Sequence, residues 1–189
     1  MRRILLARHG ETAWNAIGRL QGRTDIELND SGRTQARALA AQLSGAGISA
    51  VWTSDLSRAR QTGEIVAAAL GLGAPRIDPE LRERSFGVFE GLTRTECADL
   101  HPEAWQAWQA QTTAPPGGEP RESACARLHA ALSRILSHED AVTLVVSHGG
   151  IMRLWLMDLL RTQIPLIPNG ATYIIESDGP HLRARFAGH

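Results

Sequence analysis

The chain contains no lysine: all 20 basic residues among its 189 are arginine. That excludes a phosphate loop built on a lysine and Schiff-base chemistry on a lysine amine. Cysteine is nearly missing as well. Cys97 and Cys125 are too few and too scattered for a disulfide framework or a structural zinc site, which makes a reducing cytoplasm the expected compartment. Excess charge of either sign is lacking, with 20 basic against 20 acidic residues and a pI near 7.1. No general attraction to nucleic acid or to an anionic membrane follows from such a balance. The longest apolar run, residues 151–160, is broken by Arg153 and Asp158, so no transmembrane span is expected. Arg2-Arg3 is followed by only four apolar residues before Arg8, too short a core for a secretory leader. Internal repeats and low-complexity tracts are lacking too. The composition that remains, 43% hydrophobic over 189 residues, suits a single domain spanning 1–189.

What the sequence does hold is two short apolar runs, each ending in a histidine. Residues 4–7 (Ile-Leu-Leu-Ala) read as a buried strand, followed at once by Arg8-His9-Gly10. Residues 142–146 (Val-Thr-Leu-Val-Val) form the strongest β run, followed by Ser147-His148-Gly149-Gly150 and a helical stretch over 151–160. In an open α/β sheet ligands bind at the carboxyl ends of strands. A buried arginine such as Arg8 requires an anionic partner. Gly149 and Gly150 at a helix N-terminus would let backbone N–H groups approach an anion. Two histidines, an arginine and a helix end could thus meet on one anion.

The remaining pattern frames these two turns. A polar loop over 16–30 precedes a helix over 31–44, capped by Asn29 or Asp30 and ended by Gly45 and Gly47. A strand over 48–53 leads to a helix capped by Ser54 or Asp55 and running to 70, with Arg58 in its first turn. A cation there opposes the helix dipole and needs an offset; a bound phosphate would supply it, the alternative being a surface pairing with Asp55 or Glu11. Residues 76–78 suggest a short strand, and 84–120 a cap over the sheet edge with helices over 93–101 and 103–111. Trp105 and Trp108, three apart, share a helix face and are expected to pack the cap onto the body. A helix over 121–137 precedes the strand at 142, and strands over 171–177 and 181–186 are joined by a turn at Asp178-Gly179.

The run Arg8-His9-Gly10-Glu11-Thr12-x-x-Asn15 continues into Gly18-Arg19-Leu20-Gln21-Gly22 and Asp25-x-x-Leu28. Three later blocks keep the same order: Ser54-Asp55-Leu56-Ser57-Arg58-Ala59-x-Gln61-Thr62, then Leu81-Arg82-Glu83 with Phe86-Gly87 and Glu90-Gly91, then Val146-Ser147-His148-Gly149-Gly150. Together these blocks resemble the signature of the histidine phosphatase (phosphoglycerate mutase-like) superfamily. The resemblance implies an α/β fold, a three-layer α/β/α sandwich with a mostly parallel mixed central sheet and a small helical cap. It further implies a phosphate monoester substrate and neither metal nor cofactor.

By this resemblance His9 is the nucleophile that forms a phosphohistidine, while Arg8, Arg58 and His148 hold the phosphoryl oxygens and Asn15, Gln21, Gly22 and Gly149 complete the substrate site. One ring nitrogen of His9 must carry a proton and be held, by a backbone carbonyl, so that the other is free to attack. Glu83 is the implied general acid and base; Glu90 and Glu11 stay open as substitutes. Two histidines and a carboxylate could instead bind zinc, but Arg8 beside His9 disfavours a divalent cation. Phe86-Gly87 stands where mutases tend to show His-Tyr-Gly, and the chain is short, which favours a small phosphatase of the α-ribazole or broad-specificity type. Phe89 departs from the ribazole-type pattern, where tryptophan is usual. A phosphoglycerate mutase and an inactive phospho-ligand-binding relative are the alternatives. The natural substrate and the oligomeric state, a homodimer included, are open.

Overall fold

The computed structural model describes residues 2–110, 112–178 and 181–188. In chain order the elements are β1 (Arg3–Arg8), α1 (Ala13–Ala16), α2 (Asp30–Leu43), β2 (Ala50–Thr53), α3 (Ser57–Ala69), β3 (Arg76–Ile77), α4 (Arg94–Leu100), α5 (Pro102–Gln109), α6 (Arg121–Ser137), β4 (Val142–Ser147), α7 (Gly149–Leu160), β5 (Thr172–Asp178) and β6 (His181–Gly188). The strands form one sheet in the order β3-β2-β4-β1-β5-β6. The first four run parallel, and β5 and β6 return antiparallel.

Both faces of β1 are buried, which is why it reads as an unbroken apolar run. Ile4 and Leu6 pack with Leu128 and Leu132 of α6 and Ile151 and Leu156 of α7. Leu5 and Ala7 face the other way, onto Leu39 and Ala40 of α2 and Ala59 and Val66 of α3. Side chains of a strand alternate between faces, so this one strand joins two cores and makes the fold three-layered. Burying each large aliphatic side chain contributes roughly 1.5–3 kcal/mol.

Register positions the site. β1 pairs with β4 so that Arg8 lies opposite Ser147, and the His9 N–H donates to the Ser147 carbonyl at 3.1 Å. His9 and His148, the next residue on each strand, therefore leave the sheet side by side.

Among the boundaries that differ from expectation, two bear on the site and have identifiable reasons. The helix predicted to be capped by Ser54 or Asp55 begins at Ser57, and neither residue caps it. Its cap comes from a distant loop: Asp25 accepts from the Ser57 N–H at 2.7 Å and from Ser57 Oγ at 2.8 Å. Asp55 pairs with Arg82 instead. The helix after β4 starts at Gly149, two residues earlier than predicted, directly behind His148. Asn29 caps α2 as expected, accepting from the Gly32 N–H at 2.8 Å. The helix predicted over 103–111 runs from Pro102 to Gln109 and is closed by Ala110 at its C-terminal cap, while Gln111 itself and turn residue Gly179 lie outside the described residues.

The cap carries a small core of its own, with Phe89, Cys97 and Trp105 buried together. Phe89 stands edge-on to Trp105 with ring centroids 5.5 Å apart. Backbone bonds Leu20 N–H to Leu92 O and Gly91 N–H to Leu20 O, both 2.8 Å, tie this unit to the loop after β1. Among the described residues no helix is long and apolar enough to cross a membrane.

Candidate active site

A cavity of about 670 Å³ opens between the carboxyl ends of β1 and β4 and the cap. Arg8, His9, Asn15, Gln21, Gly22, Arg58, Glu83 and Gly149 line it, which gathers most of the residues singled out from sequence. His148 is not on its wall but lies fully buried behind His9, with ring centroids 5.1 Å apart.

The two imidazoles are fixed from opposite sides. His9 Nδ1 lies 2.6 Å from the Gly10 carbonyl, which can only accept, so Nδ1 carries the proton and Nε2 has a free lone pair. His148 Nε2 lies 2.7 Å from Ser54 Oγ, and its Nδ1 is buried without a partner among the described residues. Burial, then the charges of Arg58 and Arg8, pushes His9 well below the usual histidine range, with the bond to Gly10 pulling weakly the other way. Burial pushes His148 down in the same way, reinforced by Arg58, His9 and Arg8. Both rings are neutral at neutral pH.

The guanidinium groups are anchored by backbone carbonyls. Arg58, 1% exposed, donates through Nη2 to Gly22 O at 2.7 Å and through Nη1 to Thr24 O at 2.9 Å. These carbonyls, not a phosphate alone, offset a cation in the first turn of α3. Arg8 Nη1 donates to Ile167 O at 2.6 Å. Among the described residues neither arginine has a carboxylate within ion-pairing distance, and the Nε atoms of both are buried without a partner. Burial lowers Arg8 and brings Arg58 to about 10. Both stay charged at neutral pH.

Glu83 corrects one expectation. The N-terminus of α7, read from sequence as a cradle for substrate phosphate, receives this side chain instead. Glu83 Oε2 accepts from Gly150 N–H at 2.8 Å, and Oε1 from Ile151 N–H at 2.7 Å and Arg84 N–H at 2.8 Å. The dipole and free N–H groups of a helix end favour such a seat. The glycines make room: a Cβ at 150 would stand 2.7 Å from Glu83 Oε2, and one at 149 would stand 2.9 Å from Arg8 Cδ.

Asn15 closes the capping box of α1 with Thr12, and Gln21 accepts from Thr12 Oγ1 at 3.0 Å. Sequence reasoning missed Asn169, whose Nδ2 donates to His9 O at 2.9 Å, because it sits in an irregular segment without periodic signal. Ser54 was read as a helix cap, not as a partner of His148. Glu90, held open as a substitute acid, is turned to the backbone N–H groups of Arg23, Thr24 and Phe86. Trp105 and Trp108 both pack in the aromatic cluster of the cap, and Trp108 also lines the cavity.

Residues 4–185 match the histidine phosphatase superfamily, branch 1. The chain is 43% identical over 155 residues to phosphoglycerate mutase-like protein 4 of Arabidopsis thaliana, covering 79% of this chain and 67% of that protein. It is 39% identical over 155 residues to a metal-independent phosphoserine phosphatase of the same plant, covering 79% and 65%. The chain thus spans about two thirds of the length of these relatives. The structure of a mycobacterial glucosyl-3-phosphoglycerate phosphatase in complex with VO3 superimposes with a TM-score of 0.85 at 30% identity, covering 98% of this chain and 97% of that one. Ordered motifs, a two-sided mixed sheet and paired strand-end histidines all agree with that match, and the chain belongs to the histidine phosphatase superfamily.

Proposed function

We propose that this chain hydrolyses small-molecule phosphate monoesters, without a metal, through a phosphohistidine formed on His9. Two of the relatives above are named as phosphatases, and this chain is a phosphoric monoester hydrolase of that superfamily. The observation that carries the mechanism is that, at one end of the cavity, two guanidinium groups with no carboxylate at ion-pairing distance among the described residues stand with a neutral His9 that is backed by a buried, neutral His148. Such a set fits an oxyanion and repels a divalent cation.

In the first step His9 Nε2 attacks phosphorus in line, the N–P bond forms and the P–O bond to the leaving group breaks. Gly10 O holds the opposite nitrogen protonated, so the attacking lone pair is aimed rather than merely available. Arg8, Arg58, Asn15 and Gly149 hold phosphoryl oxygens as charge redistributes. His148 adds a donor if Nδ1 carries its one proton, and Ser54 arranges this by donating its hydroxyl hydrogen to Nε2. Gln21 and Gly22 support this end of the cavity, Gly22 through the carbonyl that holds Arg58.

Glu83 handles the proton. A carboxylate offers about four lone-pair positions, and backbone N–H groups occupy two on Oε1 and one on Oε2. The remaining Oε2 position is where Glu83 holds the proton it gives to the leaving alkoxide. In the second step it removes a proton from water, which attacks phosphorus, breaks the N–P bond and releases phosphate.

The test is p-nitrophenyl phosphate turnover in excess EDTA. Wild type is active and His9→Ala inactive under this reading; activity that EDTA abolishes contradicts it, and no turnover at all favours a binding relative. Supplying 3-phosphoglycerate with 2,3-bisphosphoglycerate separates the mutase alternative, since phosphoryl return yields 2-phosphoglycerate instead of free phosphate.

A further inference from the structure

Glu90 is not on the cavity wall, yet its carboxylate gathers five hydrogen-bond donors. Oε1 accepts from Arg23 N–H at 3.1 Å, Ser85 Oγ at 3.1 Å and Phe86 N–H at 2.9 Å. Oε2 accepts from Thr24 N–H at 3.1 Å and Thr24 Oγ1 at 3.0 Å. An ionised carboxylate only accepts, through about four lone-pair positions, so both oxygens are filled. An amide of the same shape would turn its NH2 group either on Thr24 or on Arg23, Ser85 and Phe86, donor against donor.

The two sides of this carboxylate hold different parts of the molecule. Ser85 and Phe86 begin the cap, whereas Arg23 and Thr24 belong to the loop after β1. That loop also aims Arg58: Gly22 O accepts from Nη2 at 2.7 Å and Thr24 O from Nη1 at 2.9 Å, while Nε has no partner among the described residues. Gly22 O and Arg23 N–H belong to one planar peptide, so its N–H end is fixed by Glu90 and its C=O end by Arg58. A charged acceptor on the N–H end also polarises the carbonyl toward the guanidinium. Gly22 makes room for this arrangement, since its φ of 53° is left-handed and a Cβ there would collide with Glu90 Oε1. Burial brings Arg58 down to about 10, and after Glu83 and Asp25 the charge of Glu90 holds it up.

We propose that Glu90 is a positioning residue for phosphoryl transfer: as a carboxylate it locks the peptide between residues 22 and 23 together with Thr24, and through their carbonyls it aims the Arg58 guanidinium at the phosphoryl oxygens. This rests on the phosphatase reading above. Glu90 itself touches neither the phosphoryl group nor the leaving group, and the same side chain sets the first residues of the cap against the loop that holds Arg58.

Glu90→Gln tests it, with Thr24→Val, which deletes one hydroxyl donor to Oε2 and keeps the backbone contacts, as a milder variant. Glu90→Gln should lose kcat/KM by roughly 10- to 100-fold, equally on p-nitrophenyl phosphate and glycerol 3-phosphate, with inhibition by vanadate weakened in parallel. A residue that supplied the leaving group's proton would instead spare p-nitrophenyl phosphate. Glu90→Asp, which keeps the charge, should recover part of the loss, and Thr24→Val should lose several-fold. The deciding readout is coupling to Arg58. In an Arg58→Ala background neither substitution should reduce the residual turnover further, whereas a merely structural role would reduce it by the same factor in both backgrounds. If Glu90→Gln does not fold, the cycle of Thr24→Val with Arg58→Ala decides in its place. Losses that add fully to Arg58→Ala, a loss confined to glycerol 3-phosphate, or variants that match wild type overturn this inference while leaving the phosphatase reading standing. Absence of phosphate release by wild type from both esters overturns the phosphatase reading itself.

Discussion

Replacing Ser54 by alanine removes the polar group that faces His148 Nε2 at 2.7 Å, in a place where both residues are fully buried. Under the proposed mechanism the hydroxyl donates to Nε2, which leaves the single ring proton on Nδ1, the atom without a partner among the described residues. Without that hydroxyl, Nε2 too is buried unsatisfied in either tautomer, and nothing selects the tautomer that donates to a phosphoryl oxygen. An unsatisfied buried polar atom costs about 1–3 kcal/mol. At 1.4 kcal/mol per factor of ten, that corresponds to a loss of roughly 5- to 150-fold in transition-state stabilisation. The assay is kcat/KM with p-nitrophenyl phosphate, together with inhibition by vanadate. Both should weaken in Ser54→Ala, and Ser54→Thr, which keeps a hydroxyl, should recover most of the loss. Because Ser54 acts through His148, Ser54→Ala combined with His148→Gln should be no worse than His148→Gln alone. Nitrogen-15 shifts of the His148 ring report the tautomer directly. A Ser54→Ala enzyme within twofold of wild type, or losses that simply add in the double variant, would refute the reasoning.

Three other outcomes follow from the same geometry. Glu83→Gln should lose roughly a hundredfold or more on alkyl phosphates, the scale of general acid catalysis. With p-nitrophenyl phosphate, whose leaving group departs without a proton, it should instead give a burst of one turnover followed by slow release; an equal loss on both substrates contradicts the assigned role. His9 and His148 sit well below the histidine range in the folded chain but near 6.5 when unfolded, so the unfolded state binds more protons in between. Stability is therefore full above about pH 6.5 and is lost as pH falls below it; thermal unfolding should drop between about pH 7.5 and about pH 5, less so in His148→Gln, and a flat profile would count against two buried neutral rings. Asp25→Ala removes the outside cap of α3 and should cost about 1 kcal/mol of stability while loosening Arg58. Unchanged melting and unchanged KM in that variant would show the cap to be idle.

The parts of this molecule that announce themselves in sequence are those with a period or a run. Residues 4–7 and 142–146 must be apolar on both faces to sit mid-sheet, so the two strands, and with them His9 and His148 at their ends, are legible directly. The cap of α3 is not, because Asp25 lies 32 residues away and nothing local marks it as the acceptor for Ser57. Ser54 looks like a helix cap by local rule, yet it is drawn to a histidine 94 residues on. Gly149-Gly150 signalled correctly that something anionic approaches the start of α7, but sequence could not tell a side-chain carboxylate from a substrate phosphate. Glu83 entered through the family pattern alone; its seat on that helix start is a tertiary fact. Short polar side chains meeting across the fold leave no periodic trace, and most of the site's fine structure is of this kind.

The most direct trial of the account is to trap the reaction with p-nitrophenyl phosphate in acid-free quench, digest the protein and locate the added phosphoryl group by mass spectrometry. The phosphoryl group is expected on His9, transient in wild type, long-lived in Glu83→Gln and missing from His9→Ala. Turnover without any phosphoenzyme, or a phosphoryl group that persists in His9→Ala, would contradict a phosphohistidine route.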